Sequence, residues 1–400
     1  MVLDRQWVNW NILLLTICLL VAWNYWVPLA IVNPFSTRNL PFAQYGSDSA
    51  DFHQYYRAGL SWLAGGNAYY DLRLIDGGYV YPPISLPFFG MFARLDFRIA
   101  SQLWTLLYFT VFACAVLAVA LTLKGSRRYV FISAAAMLLL TSYPFIILFE
   151  LGQIDLLLSS LAILSLVAQR LKHESASAVL LSVGALLKGP PALLLVYFVL
   201  YRRNVKYLVR FAIATIVLVL ASLLIIPVRV YSYWIANILP TLSSAYALES
   251  NQSIPGVIAN AHMSQITPAI TITGYALFAI FTLWLGSKKV RGENVAFRDD
   301  AMFLLNVLIM LLFGSRSTVY PYVWTIIPLA LFISSLMVQA TRSKYFALVC
   351  AGVFLVNSVL SPDFLDYRTI PLALIGNMIL TLGVTLACRH PKATLNISPN

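Results

Sequence analysis

The 400-residue chain is 60% hydrophobic and 10% charged, with a formal net charge of +12. A mean hydropathy of +0.81 and recurring apolar runs of about 20 residues exclude a soluble domain, because that is the length a helix needs to cross a bilayer core. The runs are apolar on every face rather than alternating, which excludes a barrel and requires helices that satisfy their own backbone amides.

The first run, 11–32, is too long for a signal-peptide core and lacks an obvious small-residue cleavage site, so it reads as a retained span. A long connection over 33–98 follows. It holds Asp48, Asp51, Asp71 and Asp76 among aromatics and glycines. Its stretch Ala50 to Ala64 has apolar positions at helical spacing and ends at Gly65-Gly66, so it predicts a short amphipathic helix.

Further spans are expected at 99–123, 129–148 and 153–171. The next two apolar segments, 175–187 and 190–201, are each too short to cross. They meet at Lys188-Gly189-Pro190-Pro191, and basic residues flank both outer ends. Such a pair enters the membrane and returns, which puts Lys188 at membrane depth. An intramembrane lysine marks a functional site, or else a structural ion pair, for which Glu150 and Asp155 are the candidate partners.

A span at 207–227 leads to a second long connection, 228–267, whose aromatics suit the membrane interface. Spans at 268–287, 300–314, 319–338, 344–360 and 369–388 complete the expected bundle, and residues 390–400 form a polar, flexible tail. The expectation is a single all-α polytopic membrane domain of about 10–12 helices. Cys18, Cys114, Cys350 and Cys388 all fall inside apolar runs and read as small core residues.

Charge gives the orientation. Basic residues gather in alternate connections, as at Lys124, Arg127 and Arg128, at Arg170 and Lys172, and at Arg202, Arg203, Lys206 and Arg210. The positive-inside rule then places the N-terminus in the cytoplasm and accounts for the net charge without any nucleic-acid partner. Among the acidic residues only Asp4, Glu174, Glu293, Asp299 and Asp300 fall on the inner side, so the chemistry is expected outside. There is no HExxH, Walker or GxSxG sequence and no paired Cys/His spacing, hence no expected metal or cofactor.

A carboxylate in an external loop is suited to general-base work. Asp51 is such a group, and Asp48 shares its face if the segment is helical. Several motifs recur around it: Asp51-Phe52-x-x-Tyr55-x-x-Ala58, Gly66-x-x-Tyr69, Tyr81-Pro82-Pro83, Gly152-Gln153-x-Asp155, Leu187-Lys188-x-x-Pro191 and Asn251-x-Ser253-x-x-Gly256. In this order and spacing the chain resembles the polyprenol-phosphate-mannose-dependent mannosyltransferases of glycosyltransferase family 87, whose relatives include the mycobacterial enzyme that elongates phosphatidylinositol mannosides.

The resemblance implies a GT-C fold with an extracytoplasmic active site, a lipid-linked sugar donor and a catalytic aspartate in the first external loop. That role maps onto Asp51, with Asp48 in reserve. Lys188, Arg316 and Arg229 would bind the donor phosphate. Tyr81, Gln153, Asn251, Tyr320 and Tyr322 would hold sugar or acceptor hydroxyls. Members often carry a Trp/His-rich motif near a late span; here Tyr320 and Tyr322 stand where histidines are expected. The implied partners are a polyprenyl-phosphate sugar, a lipid or glycan acceptor and membrane lipids, in a bacterial plasma membrane. A GT-C transferase of another sugar and a lipid or sugar transporter remain as rivals; no inverted repeat supports the latter.

Overall fold

The computed structural model describes residues 51–71, 78–242, 245, 251–287, 295–318, 320–337, 346–356 and 372–389. The expected span 11–32, Asp48, Asp76 and the tail lie outside them. The described residues form helices and no strand. Among the described residues, four segments are long and apolar enough to cross a membrane: Phe97–Thr122, Val205–Ser222, Ser264–Gly286 and Tyr320–Met337.

Three short helices come first: α1 (Asp51–Leu63), α2 (Ala68–Asp71) and α3 (Ser85–Ala93). Next are α4 (Phe97–Thr122), α5 (Ser126–Thr141), α6 (Tyr143–Leu151), α7 (Asp155–Arg170) and α8 (Glu174–Leu187). A 3-10 turn (Pro190–Leu194) and a π turn (Val196–Tyr201) lead to α9 (Val205–Ser222). Helix α10 (Val228–Tyr233), a π turn (Trp234–Ile238), α11 (Leu239–Leu242) and α12 (Ile254–Asn260) form the second connection. Then come α13 (Thr267–Ser287), α14 (Val295–Phe313), a 3-10 turn (Tyr320–Thr325), α15 (Ile326–Met337), α16 (Phe346–Val356) and α17 (Leu372–Arg389).

Helices α14 and α15 are buried along nearly their whole length. They form the centre of the bundle, whereas α9 lies at its edge with Ile213, Ile216, Val217 and Leu220 exposed. A soluble protein would bury these side chains; in a bilayer they face lipid.

The apolar run read as one span over 129–148 is broken. Helix α5 ends at Ser142, whose hydroxyl caps α6 by accepting from the Phe145 amide at 3.2 Å, with a proline in the first turn of α6. Pro144 lacks the amide that a continuous helix would need and clashes with the preceding turn, so two helices replace one. Helix α8 likewise stops where the sequence demands it. Lys188 is extended (φ −160°, ψ 125°) and Gly189 begins the turn into Pro190 and Pro191.

The first connection packs down onto the bundle through aromatics. The Trp104 ring of α4 stacks on Phe52 with centroids 5.6 Å apart and meets Tyr55, Phe88, Phe89 and Phe92 edge-on. Its Nε1 donates to the Gly152 carbonyl at 2.8 Å. Gly152 ends α6 in the left-handed region (φ +64°), and a Cβ there would sit 2.8 Å from the Cβ of Phe52. Glycine is therefore required twice over, for its backbone and for the approach of α1. That approach sets Asp51, next to Phe52, against Gln153, next to Gly152.

At the other end of α7 the residues assigned by charge pattern to the inner side meet. Asp299 accepts from Arg170 and Arg202, each at 2.7 Å, and from the Tyr197 hydroxyl at 2.6 Å. Asp300 accepts from Arg170 at 2.7 Å, from Arg127 and from the Ser335 hydroxyl at 2.5 Å. Asp155 and Arg170 are the ends of α7, and 16 residues at 1.5 Å rise put them roughly 22 Å apart. The bundle thus has a charged cluster at one end of α7 and, one helix length away, a different polar site.

Candidate active site

A cavity of about 1030 Å³ opens between α1, the Tyr81-Pro82-Pro83 turn, the start of α7, the break after α8 and the 314–321 segment. Its polar end is lined by Asp51, Tyr81, Gln153, Asp155, Lys188, Arg316 and Tyr320. The rest is largely apolar, with Leu186, Leu193, Ile235, Leu239 and Leu311 among its walls.

Lys188 lies where the α8 break points its side chain into this space. Its Nζ donates to Asp155 Oδ2 at 2.6 Å. The same ammonium stands 5.6 Å from the ring centroids of Tyr81 and Tyr320, within cation–π range of both. Asp155 is fixed from its other side, since Trp324 Nε1 donates to Oδ1 at 3.0 Å. Of the two partners expected for Lys188, Asp155 is engaged; the Glu150 side chain lies outside the described ones. The lysine still lines the cavity, so the ion pair and an exposed positive charge coexist.

Asp51 opens α1 and faces the same cavity. Gln153 Nε2 donates to its Oδ2. Burial pushes the Asp51 carboxyl up to about 6; the Gln153 amide and the Lys188 charge pull the other way, and Asp155 adds to the rise. A carboxylate with that affinity for protons is ionised at neutral pH yet able to accept a proton. Burial, and then the charge of Asp51, holds the Tyr81 hydroxyl far above the usual tyrosine range, so it stays protonated. Tyr81 is held in place because Tyr69 donates to its carbonyl at 2.7 Å.

The second connection closes over the site. Trp234 Nε1 donates to the Val80 carbonyl at 3.1 Å, and Arg316 donates to the Thr241 carbonyl at 2.9 Å. Behind the wall, Asn251 donates to the Ser315 carbonyl at 2.9 Å and accepts from Ser253 at 2.9 Å. Tyr322 donates to the Gln252 carbonyl at 2.7 Å.

The cavity thus gathers Asp51, Tyr81, Gln153, Lys188, Arg316 and Tyr320 from the expected site residues. Asn251, Tyr322 and Arg229 are not among its lining residues. Asn251 and Tyr322 are buried and tie the 251–253 and 314–322 segments together, while Arg229 is exposed on α10. Two contributors were not singled out as site residues: Tyr55, whose hydroxyl donates to Gln153 Oε1 at 2.9 Å, and Trp324. Tyr55 lies in the Asp51 motif and Trp324 in the late segment near Tyr320, so adjacency to those motifs was the available signal. Among the described residues no group of three or more His, Cys, Asp or Glu side chains could hold a metal ion.

The family model for glycosyltransferase family 87 matches residues 79–315. That range runs from the Tyr81 turn through Gln153 and Lys188 to the edge of the Arg316 segment. Comparison with curated proteins gives no match.

Proposed function

Because the chain belongs to glycosyltransferase family 87, and is thus a membrane glycosyltransferase, we propose that it moves mannose from a polyprenyl-phosphate-linked donor to a hydroxyl of a lipid or glycan. The observation that carries this reading is that Asp51 and Lys188 line one cavity whose remaining walls are mostly apolar. An amphiphilic donor needs that combination: a charged site for the sugar phosphate and a greasy wall for the chain.

The reaction follows from the parts. The acceptor oxygen attacks the anomeric carbon as its proton passes to Asp51, and the bond from that carbon to the phosphate oxygen breaks. A direct displacement with Asp51 on the face of the sugar opposite the leaving group inverts the configuration. The leaving group is a polyprenyl phosphate, whose developing charge requires fixed positive charge instead of a proton. Lys188 and Arg316 supply it. Tyr81 and Tyr320 flank the ammonium and offer hydroxyls to the sugar. We place the site on the extracytoplasmic side of a bacterial plasma membrane, with the N-terminus in the cytoplasm; the arginine cluster around Asp299 and Asp300, at the opposite end of α7, supports this orientation.

Purified protein in detergent or liposomes, given polyprenyl-phosphate mannose and extracted membrane lipids, tests this directly. Transfer of label to lipid is expected, with none from Asp51→Asn. Parallel donors carrying glucose, galactose or arabinose identify a different sugar. Failure of all four donors overturns the reading.

A further inference from the structure

The polar end of the cavity contains a hydrogen-bond chain whose direction is fixed by chemistry. Tyr55 Oη is 2.9 Å from Gln153 Oε1. A carbonyl oxygen only accepts, so the single Tyr55 proton is committed to Gln153. Tyr55 Oη is also 2.6 Å from Tyr81 Oη. With the Tyr55 proton spent, Tyr81 must be the donor in that contact. Gln153 in turn presents Nε2 to Asp51 and donates to Oδ2. Every bond therefore points the same way: Tyr81 to Tyr55 to Gln153 to Asp51.

Rotating the Gln153 amide by half a turn would set its carbonyl against the carboxylate. While Asp51 is ionised, that arrangement puts two acceptors face to face with no proton between them. Asp51 and Tyr55 therefore hold the amide between them, the carboxylate taking its donor end and the Tyr55 hydroxyl its acceptor end. The lock occupies Oδ2 and leaves Oδ1 for the acceptor hydroxyl. It also means that Tyr81, its proton already given inward, can only accept from a substrate hydroxyl.

We propose that Tyr55 and Gln153 are positioning residues that aim and tune Asp51, in place of a sugar-binding role for Gln153. The proposal rests on the reading of Asp51 as the base. Both tyrosines and the glutamine are buried, and Tyr55 stacks on Phe89 at 4.6 Å, so the chain is held by packing on all sides.

The groups that face Asp51 are Gln153 and Asp155 from the start of α7, Lys188 from the break after α8, Tyr55 from its own helix, Tyr81 from the turn and Tyr320 from the late segment. His53, on the same helix, turns its ring onto Phe97 at 5.3 Å.

The test is Tyr55→Phe and Gln153→Met in the full-length protein, assayed with polyprenyl-phosphate mannose alongside Asp51→Asn. Losing the aimed amide donor removes a contact that favours the ionised base. In both variants kcat should fall about tenfold or more, within the range general-base catalysis supplies. The donor KM should stay within about twofold, and the acid limb of kcat/KM should move to higher pH. Tyr55→Phe keeps the ring packing, so it carries the test should Gln153→Met fold poorly. An acid limb and kcat unchanged in Tyr55→Phe, with Asp51→Asn inactive, overturn the chain and leave the base standing. Activity lost in step with a lowered unfolding temperature, without movement of the acid limb, also overturns it. Full turnover by Asp51→Asn removes the base and the chain together.

Discussion

The ammonium of Lys188 and the carboxylate of Asp155 meet at 2.6 Å, and the carboxylate is almost wholly buried. The pair therefore has two functions that a substitution can separate. It neutralises a charge inside the bundle, and it holds a cation at the cavity wall. Lys188→Met should leave Asp155 buried with Trp324 as its remaining partner, at a cost of about 3–5 kcal/mol. Asp155→Asn keeps an acceptor for Trp324 and should cost less stability. Both variants should show a raised donor KM, Lys188→Met the more. Thermal unfolding in detergent and donor titration separate the two effects.

The carboxyl of Asp51 gives a pH dependence with opposite signs for activity and stability. With Asp51 as the proposed base, turnover needs the ionised form, so kcat/KM should fall as pH drops through about 6. Stability runs the other way. The folded protein holds the proton more tightly than the unfolded chain, whose ordinary value is 3.8. The stabilisation is full below that value and is lost as pH rises through about 6. At neutral pH, Asp51→Asn should therefore be more stable than the parent by roughly 2–3 kcal/mol while losing transfer. A variant inactive and also less stable at pH 7 would contradict the proton-seeking carboxyl.

Gly152→Ala tests the seam that places Asp51. Its backbone has φ +64° and the new methyl would fall 2.8 Å from the Phe52 Cβ. Strain of this kind costs about 1–3 kcal/mol. The neighbour forced to move is the residue after Asp51, so kcat should drop further than stability predicts. Gly65→Ala, where φ is +76° and nothing lies within 4 Å, measures the cost of a positive φ without such a contact.

Hydropathy made the bundle legible because each span must satisfy its own backbone. The same signal was blind to Ser142 and Pro144, since a cap and a proline change the path of a helix without changing how apolar the run is. Asp51 and Lys188 could be read because a carboxylate just outside a span and a lysine between two half-length helices are costly, and so informative. The Tyr55–Gln153 contact joins residues 98 apart, and Trp324–Asp155 joins residues 169 apart. No spacing encodes such pairs; they arise from how α1 and the 320–325 turn seat on α7. Asn251 and Tyr322 show the converse limit. A buried polar side chain reads alike whether it meets a ligand or, as here, the backbone of a neighbouring segment.

The cluster around Asp299 and Asp300 provides a control for all of these variants. Asp299 and Asp300 join Arg127, Arg170, Arg202 and Tyr197, and hence α5, α7, the 196–201 turn and α14. Asp300→Leu would strand Arg127 against an apolar side chain while Asp299 still binds Arg170. The expected loss is about 3–5 kcal/mol, as for any buried pair broken on one side. The cavity lies roughly 22 Å away along α7 and shares no side chain with the cluster, so protein that remains folded should keep the parental donor KM and the same acid limb. An altered acid limb in Asp300→Leu would show that the two ends of α7 are coupled. Unfolding midpoints measured beside pH–rate profiles decide between these outcomes.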